Sequence, residues 1–513
     1  MSLLKRIFRA RLISSALSCC LVSLSLGING CSQSTDLERE SWLLRTLVDD
    51  HFHLISRESG LVGGKFRKML GGGHGEGDAR SLYPYFRGTL SQMYRDLSGD
   101  YTLVVPTVYS SPESALVFMV GDPHLENVSA MIGEGGVLRL EWDDFDSAGY
   151  GPWIWDVRRL ALSFWVFAYD LGRLELATPL VEAVIRGYLR GTSLWRDQLR
   201  VQPSEGQRLP SVIRALFAEA REKLNEGRLW TRYTETQRDG SQRIQRYLKR
   251  GTIRKSEQVG VIRDALLSLN DREVLIIEEI ERSLTAQGIN VGHLKDYARR
   301  YGQGVSSYPL MRFYMLFEGP TEALEDDQIW EVKELGDRPV PSGLDLKPPR
   351  QFGAQGERIL RARRALQWGP IASGFGPDPT TWVDVNSASF RVRLKSDLQR
   401  GLNLEDLIKH YKNLATNESS DTALSEVTET AELLGSLLAG AHCFAPTLNG
   451  IQGGVVINRD LDLAGHDMLA PETLDFINIY GQVMRQDRIY LSNLLDRFGP
   501  TLGAQGGWNV EGR

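Results

Sequence analysis

Cysteine is scarce in this 513-residue chain: of four, Cys19, Cys20 and Cys31 sit near the N-terminus and only Cys443 falls in the body. One thiol excludes an intramolecular disulfide scaffold and a cysteine zinc site there. An excess of positive charge is also missing. Sixty Lys and Arg against 65 Asp and Glu leave a net charge of −5, which argues against a general nucleic-acid binder. The N-terminal apolar run, Leu12 to Leu26, is too short for a comfortable membrane span. What remains is ordinary globular composition, 42% hydrophobic and 24% charged. The length suits two or three domains, or one large two-lobed one with a sizeable core.

The first thirty residues read as an export signal, with Lys5, Arg6, Arg9 and Arg11 heading the apolar run. Its end, Leu26-Gly27-Ile28-Asn29-Gly30-Cys31, resembles a bacterial lipobox. That resemblance implies lipidation of Cys31 and attachment to a lipid bilayer in the cell envelope, facing the periplasm, with Ser32 favouring the outer membrane. A simple cleavable signal is the alternative. Removing the segment takes four positive charges and leaves −9.

Residues 31–60 read as a tether leading into a helix. His51 and His53 suit a surface or packing role rather than metal binding. Residues 61–294 carry the acidic loops and a run of amphipathic helices that includes Val259 to Ala286; the polar, basic stretch Gln237 to Lys255 reads as a solvated helix face or a contact with anionic headgroups. Residues 295–398 turn strand-like. A helix before the Gly302 and Gly304 pair is expected to lead into strands at Met311 to Glu318 and at DQIWEVKEL, which carries Lys333. A Pro-rich link, a helix from Gly356 to Leu366 and a strand-like stretch Trp382 to Lys395 follow. Residues 399–505 are mostly helical, and 506–513 read as a loose tail.

Val120 to Ala161 concentrates the chemistry. It holds Asp122, His124, Glu126, Asn127, Asp143, Asp144, Asp146 and Asp156. Asn127 to Ile132 and Val137 to Trp142 read as a hairpin around Gly133-Glu134-Gly135-Gly136, which would bring Asp122 and Asp144 to one end. Asp122 is then a base or metal ligand, Asn127 a neutral oxygen ligand and Asp144 the second carboxylate. Such oxygens suit Mg²⁺ or Mn²⁺, hard ions that keep waters and bridge phosphates.

Asp122-x-x-x-x-Asn127, then Asp144 and Asp156, resembles the core of aminoglycoside and choline phosphotransferases, which share the protein-kinase fold. The resemblance implies that Asp122 acts on an acceptor hydroxyl, that Asn127 and Asp144 hold Mg²⁺ on nucleotide phosphates such as those of ATP, and that Asp156 has a structural role. From about Gly64 to Ala445 the chain also resembles the bacterial family called domain of unknown function 2252, through Phe86-Arg87-Gly88, GDPHLEN, DDFDSAGYGPWIWDVRRLA, the GQG segment with Arg312-Phe313, VKEL and LLGSLLAGAH.

In kinases the glycine loop and strand lysine precede the catalytic loop, whereas here Gly302, Gly304 and Lys333 follow it. The expected fold class is therefore α+β: a two-lobed, circularly permuted kinase-like fold, with 295–398 as the nucleotide-covering lobe. Lys333 would pair with phosphates and an acid, for which Glu357 is the candidate. Ser307 stands where a third glycine is expected. The leading function is a metal-dependent phosphoryl or nucleotidyl transferase with an unknown small-molecule or protein acceptor. A pseudokinase-like binding module and a metallophosphoesterase are the alternatives, the latter weakened by the lack of a Gly-Asn-His motif.

Overall fold

Leu43, Leu47, Leu54, Val62, Phe66 and Met69 recur at steps of three, four, seven or eight and are all buried, the stripe of a helix laid on a core. That helix, α1 (Asn29–Met69), leaves helical geometry at Glu58. The computed structural model describes residues 29–71, 81–99, 107–226, 228–252, 261–262, 264–336, 352–367, 372–373, 376–377, 379–395 and 399–502. The export segment up to residue 28, the Cys31 side chain, the Pro-rich link and the 506–513 tail lie outside them. Among the described residues no helix is long and apolar enough to cross a membrane.

Short helices α2 (Tyr83–Gly88) and α3 (Leu90–Leu97) lead to strand β1 (Val117–Met119), the hairpin β2 (Val128–Ile132) and β3 (Leu138–Trp142), and β4 (Gly149–Gly151), which pairs with β1. Helices α4 (Trp153–Leu171), α5 (Ala177–Arg196), α6 (Ser211–Glu226) and α7 (Arg228–Tyr233) follow. Next come β5 (Thr234–Arg238), β6 (Ile244–Leu248), β7 (Ala265–Leu267), α8 (Asp271–Ala286), β8 (Leu294–Tyr301), β9 (Arg312–Phe317) and β10 (Gln328–Leu335). Helix α9 (Gln355–Leu366), the small pair β11 (Ala372–Ser373) and β12 (Gly376–Pro377), and β13 (Thr381–Val385), β14 (Ala388–Leu394) and β15 (Gln399–Gly401) lead to the last helices. These are α10 (Leu404–Asn417), α11 (Ser420–Phe444), α12 (Gly453–Ala464) and α13 (Leu469–Phe498). The mixture of helix and sheet is α+β, as expected.

Three stretches differ from the sequence expectation. Residues 294–301 are strand β8, not helix. Charged residues on both of its faces, Arg299 on one and Asp296 and Arg300 on the other, together with a β-bulge between Leu294 and Asp296, hide the two-residue period. The basic stretch after Gln237 is the second half of the β5–β6 hairpin, whose loop closes on Asp239 as its carboxylate accepts the Ser241 and Arg243 amides. The expected helix from Val259 starts only at Asp271, where Asn270 and Glu273 form a capping box; a strand, β7, precedes it.

The six-stranded antiparallel sheet runs β13-β14-β10-β9-β8-β7. Its period of two sorts the side chains. Phe313, Met315, Trp330, Val332, Phe390 and Val392 turn to one face and pack on Ile276, Ile277, Ile280 and Leu284 of α8. Their alternates, Arg312, Glu331, Lys333, Arg391 and Arg393, therefore occupy the opposite face.

A larger core runs through the helices and the β2–β3 hairpin. In it α11 presses onto α5 so closely that a β-carbon at Gly435 would stand 2.1 Å from the Val184 carbonyl oxygen. Beyond α11, the Leu448 amide donates to the Leu116 carbonyl at 3.0 Å, so the chain leaving α11 runs beside the chain entering β1. Two links join α1 to the sheet: Arg57 makes a bidentate pair with Glu334, and Glu58, at the kink, pairs with Arg299.

Candidate functional site

The loop after β1 is held from behind. Gly121 adopts φ +90°, and its amide donates to Asp156 in the first turn of α4 at 3.1 Å. Asp156, fully buried, also meets His442 Nε2 at 3.0 Å, and His442 Nδ1 meets the Tyr188 hydroxyl at 2.9 Å. Thus α4, α5 and α11 fix one backbone position, and the acidic residues that follow inherit that rigidity.

Asp122 accepts from Arg159 Nε at 2.7 Å, and Arg159 itself stacks on Phe86 and donates to the Phe86 carbonyl. Burial raises the Asp122 carboxyl above its ordinary pKa, with Asp144 adding to the effect and Arg159 and Arg87 offsetting part of it. A carboxylate so placed is a stronger base than a solvated one. His124 Nδ1 accepts from the Glu126 amide at 3.1 Å, which puts any proton on Nε2, 3.7 Å from Asp122. Burial, with Arg87 and Arg159 nearby, holds this histidine well below its usual pKa and so neutral. Asn127 donates from Nδ2 to the Asp122 carbonyl at 2.8 Å, which leaves Oδ1 as its acceptor. The Asn127 carbonyl accepts the Asp143 amide at 3.1 Å, joining the loop before β2 to the loop after β3.

Asp144 accepts the Asp146 amide at 3.1 Å. Burial alone would raise its carboxyl; Lys333, Arg391 and the Asp146 amide outweigh that and hold it well below the carboxylate range. Asp143, which also lines the cleft, accepts the Ser129 hydroxyl, a bond that braces the hairpin. Lys333 pairs with Asp146. Glu357, the acid expected for Lys333, instead accepts the Gly353 amide and pairs with Arg361. It is the neighbouring Arg358 that reaches the site, donating to the carbonyls of Asp146 and Ala148 at 2.8 and 2.6 Å.

The acidic loops and the polar face of the sheet enclose a cleft of about 260 Å³. Of the residues expected from sequence, Asp122, Asn127, Asp144, Gly304 and Lys333 line it together. Gly302 is one step removed: its carbonyl and that of Gly304 both accept from Lys68 Nζ at 2.9 Å, which fixes the loop between β8 and β9. Gly302 and Gly304 have φ of +88° and +73°, which only glycine adopts without strain. Glu357 does not line the cleft. Sequence reasoning passed over Arg391 and Arg393, although the alternation Phe390-Arg391-Val392-Arg393-Leu394-Lys395 signals them. Arg159 and Arg358 carry no comparable signal, because only the tertiary fold brings them to the loops.

A search of curated proteins and one of solved structures gave no match. A family model, described as an uncharacterized protein conserved in bacteria (DUF2252), matches residues 78–490. That span takes in every acidic and basic residue of the cleft, and on its strength the chain belongs to the DUF2252 family.

Proposed function

We propose that this chain is a metal-dependent phosphoryl or nucleotidyl transferase with a circularly permuted, kinase-like fold. The observation that carries the reading is the meeting of Asp122, Asn127, Asp144 and Lys333 in one cleft beneath a glycine-containing loop. The same combination of parts serves phosphoryl transfer in kinases. Support for the permutation comes from the contact between the segment after α11 and the segment before β1. Residues 295–398, backed by α8, would then be the small lobe although they come late in the chain.

The donor set fits a hard divalent cation. Among the described residues no three His, Cys, Asp or Glu side chains form a ready-made metal cluster. One ionised carboxylate, Asp144, and one amide oxygen, Asn127, make the partial site that Mg²⁺ or Mn²⁺ completes with waters and phosphate oxygens. Bound there, the cation would neutralise charge building on the transferred group. Asp122 takes the acceptor hydroxyl proton as the new O–P bond forms, and the electron pair of the breaking P–O bond leaves with the departing phosphate. Lys333 lies on the sheet side, positioned for the phosphates of the donor. Export and lipidation at Cys31 complete the proposal and would place the cleft in the envelope.

The test is turnover of a phosphate donor by purified protein with Mg²⁺ or Mn²⁺, in wild type and two variants. Asp122→Ala should abolish turnover while keeping metal and donor binding; Asp144→Ala should lose metal binding. Full activity in Asp122→Ala removes the assignment of the base. Binding without any turnover favours a non-catalytic module, for which the Lys333–Asp146 pair across the cleft is the supporting observation. Metal-dependent hydrolysis of a simple phosphate ester would point instead to a phosphoesterase.

A further inference from the structure

The sheet side of the cleft is built for charge and offers almost nothing to a flat apolar ring. Among the described lining residues Val305 is the sole aliphatic one, and none is Phe, Tyr or Trp. Pockets that recognise a base or similar ring are ordinarily lined by apolar and aromatic groups. Here the strands present Arg312, Lys333, Arg391 and Arg393 with one carboxylate, Glu331, among them. In register, Lys333 sits opposite Arg312 on one side and Arg391 on the other. Three cations therefore stand in a row across three strands, roughly 10 Å wide.

This row is under-satisfied. The side chains of Arg312 and Arg391 are only 14% and 11% exposed. Neither has a hydrogen-bonded partner among the described residues. Arg312 stands 3.7 Å from Glu331, and Arg391 stands 3.6 Å from Asp146 and 3.8 Å from Glu331, all beyond hydrogen-bond reach. Arg391 Nε is buried without an acceptor. Guanidinium groups withdrawn from water need acceptors, and a bound anion with several oxygens supplies them.

We propose that the sheet side of this cleft is an oligophosphate site, in which Arg312, Lys333, Arg391 and Arg393 recognise a chain of linked phosphates and a nucleobase contributes little. Only the description of that ligand as a phosphoryl donor rests on the transferase reading above.

The test is calorimetry on the full-length protein with Mg²⁺, using inorganic tripolyphosphate, ATP and adenosine as probes. Tripolyphosphate should bind within about tenfold of ATP, and adenosine should give no heat at millimolar concentration. Arg391→Gln and, separately, Arg393→Gln should each weaken tripolyphosphate by about tenfold or more, the loss expected when a charge-assisted hydrogen bond disappears. Their melting temperatures confirm that the variants are folded, and Arg361→Gln, outside the cleft, should leave both affinities unchanged. The site is refuted if adenosine binds, if ATP binds more than about tenfold tighter than tripolyphosphate, if equimolar sulfate displaces tripolyphosphate, or if no probe binds. The two proposals fail separately. Tight tripolyphosphate binding with no phosphoryl transfer keeps the site and removes the transferase; transfer from ATP whose binding depends on the base keeps the transferase and removes the site.

Discussion

Replacing Gly121 with alanine should damage the cleft far more than the same change at another glycine of similar backbone geometry. Gly121 has φ +90° and Gly135, in the β2–β3 turn, +81°, so both substitutions carry the left-handed strain of an L-residue, about 1–2 kcal/mol. Their surroundings differ. A β-carbon at Gly121 would lie 2.0 Å from the Ser147 carbonyl oxygen and 2.4 Å from its carbon, whereas at Gly135 it meets nothing within 4 Å. Backbone cannot rotate aside as a side chain can, so the 121–127 and 144–148 loops must separate. Overpacking of this kind adds about 1–3 kcal/mol. The expected totals are about 2–5 kcal/mol for Gly121→Ala and about 1–2 kcal/mol for Gly135→Ala, against typical total stabilities of about 5–15 kcal/mol. Urea unfolding followed by tryptophan fluorescence reads the difference, and Mg²⁺-dependent phosphate-ligand binding reads the site. Gly121→Ala should lose both stability and binding while Gly135→Ala keeps binding. Equal costs for the two variants, or intact binding in Gly121→Ala, would show that the close approach of Ser147 does not set the geometry of the cleft.

Other consequences follow from the same contacts. Asp156→Asn weakens a buried acceptor of the Gly121 amide and of His442; it should cost about 1.5–3 kcal/mol, read by thermal melting, with a matching loss of site function. A pH effect comes from within the helical core, where Arg39 lies between Asp96 and Asp487. Burial pushes the Asp487 carboxyl up to about 6, with Arg39 offsetting part of the rise and Asp96 adding to it. Its folded pKa exceeds the unfolded one, so the folded chain binds more protons between about pH 4 and 6, and this group lowers stability as pH rises through that window. The contribution is about 3 kcal/mol. In Asp487→Asn that component of the pH slope should vanish, which urea unfolding at pH 4, 5 and 6 will show; an unchanged slope contradicts the assignment.

Local patterns carried much of the architecture into the sequence. The β2–β3 hairpin could be read from two apolar runs around a glycine turn, and Asp122, Asn127 and Asp144 followed because they flank it. Strand β9 showed itself as a continuous apolar run, and β10 and β14 by their alternation. Strand β8 did not, because its buried arginines are satisfied by Glu58, Glu273 and Asp264, which are far from it in sequence. Partner choice was equally hidden: Lys333 pairs with Asp146 across 187 positions rather than with Glu357. The capping box at Asn270, by contrast, is a local signal that marks the start of α8.

On the proposed reading, Asp144 and Asn127 hold a divalent cation on a phosphate ligand gripped from the sheet side. Titrating Mg²⁺ into the protein with tripolyphosphate present, for wild type and Asp144→Ala, measures it directly. Saturable, metal-dependent binding is expected in wild type, and Asp144→Ala should abolish it while its melting profile stays cooperative. Binding that ignores the metal, or that survives Asp144→Ala unchanged, would rule out a cation held by these two residues.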